Sequence, residues 1–285
     1  MTIAPDITDI VDGVGVGRHR ASRTNASENS VRSLVSHTAI LTNRILRRWS
    51  RDPATTAETL LVPVAFLVTL NIVLGEGISQ VTGHSALYGS APLVAMVAAT
   101  QGATVGGLGI MRERADGLLS RLWVLPVHRA AGLLSRLLAE SARIVAATAA
   151  LLCAGLALGF RFERGLLSAI GWLFIPCVFG IAFSVGVVTL ALYSAKTIVV
   201  EATALISGLF MFFSTGFVPL DQYPNWLQPA VEHQPLSYTV EVMRGLSIGG
   251  PVLSPMLGLL AWSAAIVLVC AMPLASGYRK ASMRG

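Results

Sequence analysis

Charge is scarce in this chain. Asp, Glu, Lys and Arg make up 13% of its 285 residues, against about 25% in an ordinary soluble domain. Lysine is nearly absent, with Lys196 and Lys280 alone. No GxxxxGK[ST] phosphate loop occurs, so the chain does not hydrolyse nucleotide by itself. Cys153, Cys177 and Cys270 lie far apart and form neither a metal spacing nor a disulfide framework. His19, His37, His84, His128 and His233 are also scattered, and none has a second ligand at metal-binding spacing. There is no GxSxG elbow. These absences speak against an enzyme, and against a metal or cofactor held by this chain.

What the chain has instead is apolar length. Hydrophobic residues make up 54% of it, and the mean hydropathy is +0.68. Six apolar runs follow a polar first fifty residues, near 59–75, 88–110, 137–159, 167–193, 198–218 and 253–276. A helix of roughly 20 apolar residues crosses a hydrocarbon core, so the runs predict an all-α, six-span membrane protein. The first run starts after too long a polar arm for a cleavable leader, which makes the first span the expected anchor.

The cations are unevenly placed. Seventeen of the 21 Lys and Arg fall in the N-terminal arm, the loop after the second run, the loop after the fourth, and the C-terminal tail. Arg161, Arg164 and Arg244 alone fall in the opposite loops, with Arg143 inside a run. Positive loops stay cytoplasmic. The expectation is a multi-pass protein of the cytoplasmic (inner) membrane with both termini inside. This placement favours a membrane over nucleic acid as the partner of the net +6 charge.

Residues 1–30 lack apolar periodicity and read as a flexible cytoplasmic tail. In 31–52, Val31, Leu34, Leu41, Ile45 and Trp49 share one helical face, and Arg44, Arg47 and Arg51 another. That predicts an amphipathic interfacial helix, arginines toward acidic headgroups. Residues 53–276 are the transmembrane domain, and 277–285 a second cytoplasmic tail. Gly102/Gly106 and Gly155/Gly159 have the GxxxG spacing that permits close helix packing. Arg136, Glu140 and Arg143 stand four and three apart, and are expected to pair on one helix face near the cytoplasmic surface. No acid is expected at mid-depth, which disfavours an ion-coupled carrier.

Two segments are neither span nor ordinary loop. Residues 111–129 open with charges, continue with Leu118, Leu119, Leu122 and Leu125, and stop at Pro126. They predict a short cytoplasmic helix near 112–125, suited to a protein groove or to the membrane surface. Residues 219–250 are broken by Pro219, Pro224, Pro229 and Pro235 and carry Tyr223, Trp226 and Tyr238. They predict a re-entrant pair of short helices on the outer side, with Ser237 as an N-cap and Gly249–Gly250 as the stop.

These two segments carry a resemblance. Arg112-Glu113-Arg114, Gly117-Leu118, Leu122 and Pro126 are similar to the Glu-Arg-Glu, Gly-Thr-Leu-Glu and Pro pattern of ABC-2-type exporter permeases. Arg114 stands where the family has an acid, and Leu119-Ser120 depart from its Thr-Leu-Glu portion. Phe213-Ser214-Thr215-Gly216, Val218-Pro219-Leu220, Gln234-Pro235, Ser237-Tyr238 and Met243-Arg244-Gly245-Leu246 resemble the daunorubicin-resistance branch of that family, its mycobacterial members above all, as do Ser120–Ala130 and Gly249–Met256.

The resemblance covers nearly the whole chain and implies several things. The fold would be a surface helix followed by six spans, with a coupling helix and an outer broken segment. The chain would work with two copies of a cytoplasmic ABC ATPase, which bind the ATP and Mg, and with a second, related six-span permease. Arg112, Glu113, Gly117, Leu118 and Leu122 would contact the ATPase. Pro219, Tyr223, Trp226, Pro235 and Arg244 would form the outer gate. The cargo would be a large cell-envelope lipid of the phthiocerol dimycocerosate type, or an amphipathic polyketide drug. An ATP-independent pore and a membrane scaffold are the other readings.

Overall fold

The computed structural model describes residues 30–117, 128, 130–194 and 196–283. Residues 1–29 of the expected tail 1–30, and residues 118–125 of the expected coupling helix 112–125 with Leu118 and Leu122, lie outside the described residues. Nine α-helices are present among those described. They are α1 (Val31–Ser50), α2 (Pro53–Thr82), α3 (Leu87–Ala115), α4 (Ala131–Ala157), α5 (Leu166–Tyr193), α6 (Thr197–Phe212), α7 (Gln228–Glu232), α8 (Pro235–Ile248) and α9 (Leu253–Met283). A 3-10 turn spans Leu220–Gln222.

Among the described residues, five helices are long and apolar enough to cross a membrane: α2 through Gln80, α3, α4, α5, and α9 through Gly277. The fifth apolar run behaves differently. Its helix, α6, has only 16 residues and stops at Phe212, about 24 Å of rise against a core of about 30 Å. Ser214-Thr215-Gly216 end it, because short hydroxyl side chains compete for the backbone and glycine disfavours helix. At the other end of the chain, α9 runs on to Met283, so most of the expected C-terminal tail continues the last helix.

α3 and α5 form the centre. α5 packs against α3, α4 and α9, and α3 also meets α2, α4, α6 and α8. Leu93, Met96, Leu151, Trp172, Phe179, Val240, Met243 and Leu259 join in one buried core. At one end Tyr88 and Phe160 pack as tilted rings, and Phe162 meets Phe160 and Trp172 edge to face. The outer helices show the reverse pattern, with Leu61, Ile72, Val73, Leu268, Val269 and Met272 exposed on α2 and α9. Such apolar surface fits hydrocarbon as the solvent. Asp52 caps α2 by accepting from the Thr55 backbone and hydroxyl, and these bonds hold its carboxyl below its ordinary pKa.

α1 lies on α4. Leu34, Leu41, Ile45 and Trp49 are half-buried while Arg44 and Arg47 are exposed. The amphipathic face is therefore used at least in part against protein, and Val31 is left 77% exposed.

Candidate functional site

The last turn of α3 carries Arg112, Glu113 and Arg114. They do not open a separate helix: α3 ends at Ala115, and Gly117 turns the chain with φ 66°, a left-handed value that favours glycine. Glu113 forms an ion pair with Arg136 of α4. Arg136 thus reaches across to α3, where its expected partner was Glu140 on its own helix. Arg112 is exposed. Arg114 donates to the carbonyls of Leu192 (2.8 Å) and Ser194 (3.3 Å), which satisfies the C-terminal end of α5. An acid at that position could not do this, so the departure from the family pattern has a structural use. α1 is tied in by Thr42 donating to the Ser135 carbonyl (3.3 Å) and by the His128 amide donating to His37 Nδ1 (3.1 Å).

Glu140 and Arg143 sit deeper than expected. They are the tenth and thirteenth residues of a 27-residue helix and meet α3 at Gly102, the sixteenth of its 29. Glu140 pairs with Arg143, and Arg143 donates to the Gly102 carbonyl (2.5 Å). A Cβ at Gly102 would stand 2.7 Å from Glu140 Oε1, so glycine there makes room for the pair. Glu140 is buried, 7% exposed. Glu140, expected near the cytoplasmic surface, sits instead well inside α4. The first GxxxG pair admits a charged couple, and in the second Gly159 turns the chain after α4 with φ 106°.

At the far end of α3 the broken segment meets the stump of α6. The last carbonyls of a helix need donors, and the segment supplies them. Tyr223 Oη lies 3.2 Å from the Phe212 and Ser214 carbonyls. A phenol carries its proton at neutral pH and can donate it to either carbonyl. Gln234 Nε2 donates to the Phe213 carbonyl and, at 3.1 Å, to Ser237 Oγ. Arg244 donates to the Thr215 carbonyl (2.8 Å) and to Glu241 (3.2 Å). Ser237 Oγ accepts from the Thr215 amide (3.3 Å), so it serves the α6 break, while Gln234 holds the N-cap position of α8 and Pro235 opens that helix. Gly89 at the start of α3 touches this knot, since a Cβ there would meet the Gly216 carbonyl at 2.1 Å.

Of the expected gate residues, Tyr223, Pro235 and Arg244 gather around the break. Pro219 borders a cavity of about 290 Å³ with His84, Tyr88, Asp221 and Arg244. Trp226 is 79% exposed and stands apart. Gln234 and Ser237 were missed as donor and acceptor to α6. The polar triplet Ser214-Thr215-Gly216 at the end of an apolar run was the available signal.

The model of the ABC-2 type transporter family matches residues 36–247. This span begins in α1 and ends in α8, covering both the charged centre and the knot. The chain belongs to the ABC-2 transporter family. It is 51% identical over 261 residues to the doxorubicin resistance ABC transporter permease protein DrrC of Mycobacterium tuberculosis, covering 92% of this chain and 95% of that one. It is 26% identical over 250 residues to the daunorubicin resistance ABC transporter permease protein DrrB1 of Streptomyces coeruleorubidus, covering 87% and 88%. These ABC-2 relatives are transporter permeases, not catalytic enzymes. The daunorubicin-resistance branch read from the sequence is thereby upheld.

Proposed function

We propose that this ABC-2 permease forms part of the membrane pathway of an ATP-driven exporter for a large hydrophobic molecule. Two copies of a separate ABC ATPase would bind ATP and Mg, and a related six-span permease would complete the pathway. In this reading the arginine-rich end faces the cytoplasm, both termini are cytoplasmic, and α6 with the knot that follows serves as the sixth crossing. The cargo is a complex cell-envelope lipid of the phthiocerol dimycocerosate type. An amphipathic polyketide drug is the second reading, favoured by the resistance names of the relatives.

One observation carries the mechanism: α3 is a single helix with Glu113 and Arg114 at one end and Gly89 against the broken segment at the other. Its 29 residues span about 43 Å. Motion of the ATPase against the segment after Gly117 would pass through α3, and through the Glu113–Arg136 pair to α4. The knot at the far end would then shift as one body. α3 therefore offers a direct route between the two ends.

The test is purification of the tagged chain in mild detergent from its native host, with the partners identified. A stoichiometric ATPase and a second permease are expected. Elution alone, under conditions that preserve known complexes, would remove the exporter reading. Export of lipid and of doxorubicin from cells lacking the chain would then separate the two cargo readings.

A further inference from the structure

Four arginines share one side of α1 near its C-terminal end. Arg44, Arg47, Arg48 and Arg51 recur at i, i+3, i+4 and i+7, the spacing of one helical face. All four are exposed. With Ile40, Asn43 and Asp52 they line an open cavity of about 700 Å³. None of them forms an ion pair among the described residues. Asp52 is the one acid in this wall, and its carboxylate is taken up in capping α2 through the Thr55 amide and hydroxyl. Like charges at these spacings repel. The helix dipole favours cations in the last turn of α1, but it fades within that turn and does not reach Arg44.

The cavity has a defined place against the bilayer. It ends at Asp52, the N-cap of α2, and the membrane-crossing stretch of α2 starts at Pro53. That helix turns Leu61, Val62, Ile72 and Val73 outward. The turn before such a lipid-facing span lies at the level of the headgroups. The corner is held by Thr56 Oγ1 donating to the Trp49 carbonyl (2.8 Å) and by the Asp52 amide donating to the same carbonyl (3.0 Å). A surface helix ordinarily holds the membrane by sinking its apolar face. Here that face is partly occupied by α4, and the arginines are left to meet the headgroups.

The chemistry that fits is phosphate. Each guanidinium offers a planar fork of donors that matches phosphate oxygens, and Asn43 adds an amide donor. From Arg44 to Arg51 the helix rises about 10 Å, more than one phosphate can cover. We infer that this cavity is a discrete site for an acidic phospholipid of the adjoining leaflet, best filled by a headgroup with two phosphates, its acyl chains running beside α2. The arginine spacing alone asks for a diffuse attraction to acidic headgroups; the cavity at the α1–α2 corner makes the attraction local and selective. The site does not depend on the export reading.

The experiment is native mass spectrometry of the full chain with whatever partners co-purify, delipidated in detergent. It is titrated with cardiolipin, phosphatidylglycerol or phosphatidylcholine of the same acyl chains. One cardiolipin should bind saturably, about tenfold more tightly than phosphatidylglycerol because its second phosphate engages further arginines, and phosphatidylcholine should not saturate. Arg44→Gln, Arg47→Gln, Arg48→Gln and Arg51→Gln together should weaken cardiolipin about tenfold or more. Arg→Lys at the same four positions keeps the charge and loses the forks, so it should weaken cardiolipin less, and it tests the site if the first variant misfolds. Arg18→Gln, Arg20→Gln and Arg23→Gln together lower the charge of the same arm and should leave binding unchanged. Equal binding of the three lipids, an equal loss in the arm variant, or undiminished binding in the four-Gln variant would overturn the site. So would full displacement of cardiolipin by inorganic pyrophosphate, which would make the arginines a site for soluble phosphate. A four-Gln variant that holds cardiolipin as before but loses a co-purified protein would give the arginines to that protein instead.

Discussion

α3 is held at two places by different chemistry. Near its midpoint and C-terminal end, charged side chains meet it: Arg143 on the Gly102 carbonyl, and Arg136 on Glu113. At its far end the neighbouring knot is built mostly of neutral groups, in which a phenol, an amide and a hydroxyl serve the backbone of residues 212–215 and Arg244, itself paired with Glu241, adds a charged donor. The first arrangement joins side chains whose charges must be matched. The second mends a broken helix, where any correctly placed donor serves. Buried charge is intolerant of losing one partner, whereas a knot of several neutral bonds loses them one at a time.

This contrast can be broken or sharpened by substitution. Glu140→Ala should have the largest effect, about 3–5 kcal/mol of stability, because Arg143 would stay buried and unpaired. Thermal unfolding in detergent measures it. The double change Glu140→Leu with Arg143→Met should recover most of that loss. Failure to recover would mean the pair is needed for folding itself. Gly89→Ala comes next, at about 1–3 kcal/mol or more, since its Cβ would strike the Gly216 carbonyl and force α3 from the knot.

Single losses in the knot should be smaller. Tyr223→Phe should cost about 0.5–1.5 kcal/mol, with export less affected than by Glu113→Ala. Equal export in Glu113→Ala and the unaltered chain would sink the transmission route through the Glu113–Arg136 pair. The smallest effect is at Asp52. Its carboxyl is held below the ordinary value, so its capping contribution is complete above the unfolded-state pKa and fades as pH falls through the lower folded one. Asp52→Asn should erase that part of the acid dependence, read as the loss of helicity between neutral and strongly acid pH.

Much of the architecture was legible because its cause is local. Apolar run length marks the long helices, though the run at 59–75 fell short of the Asp52 cap and the Gly83 stop that bound α2. Proline spacing marks the broken segment. The same logic failed at α6, where composition continued apolar past Phe212 but Ser-Thr-Gly ended the helix. It failed at Glu140 because spacing on one helix gives the i,i+3 partner and says nothing about Gly102 across the groove. It failed at Arg136 for the same reason: Glu113 is 23 residues away and on another helix.

The sequence by itself determined that this chain lives in a membrane as helices, which end carries the positive charge, and which family it resembles. Each of these follows from composition, from periodicity or from contiguous motifs. Only the tertiary structure decided which side chains complete which backbone. The donors of the knot come from Tyr223, Gln234 and Arg244, and the room for Glu140 comes from a glycine on another helix. Such partners are fixed by how helices pack in three dimensions, and no spacing along one helix encodes them.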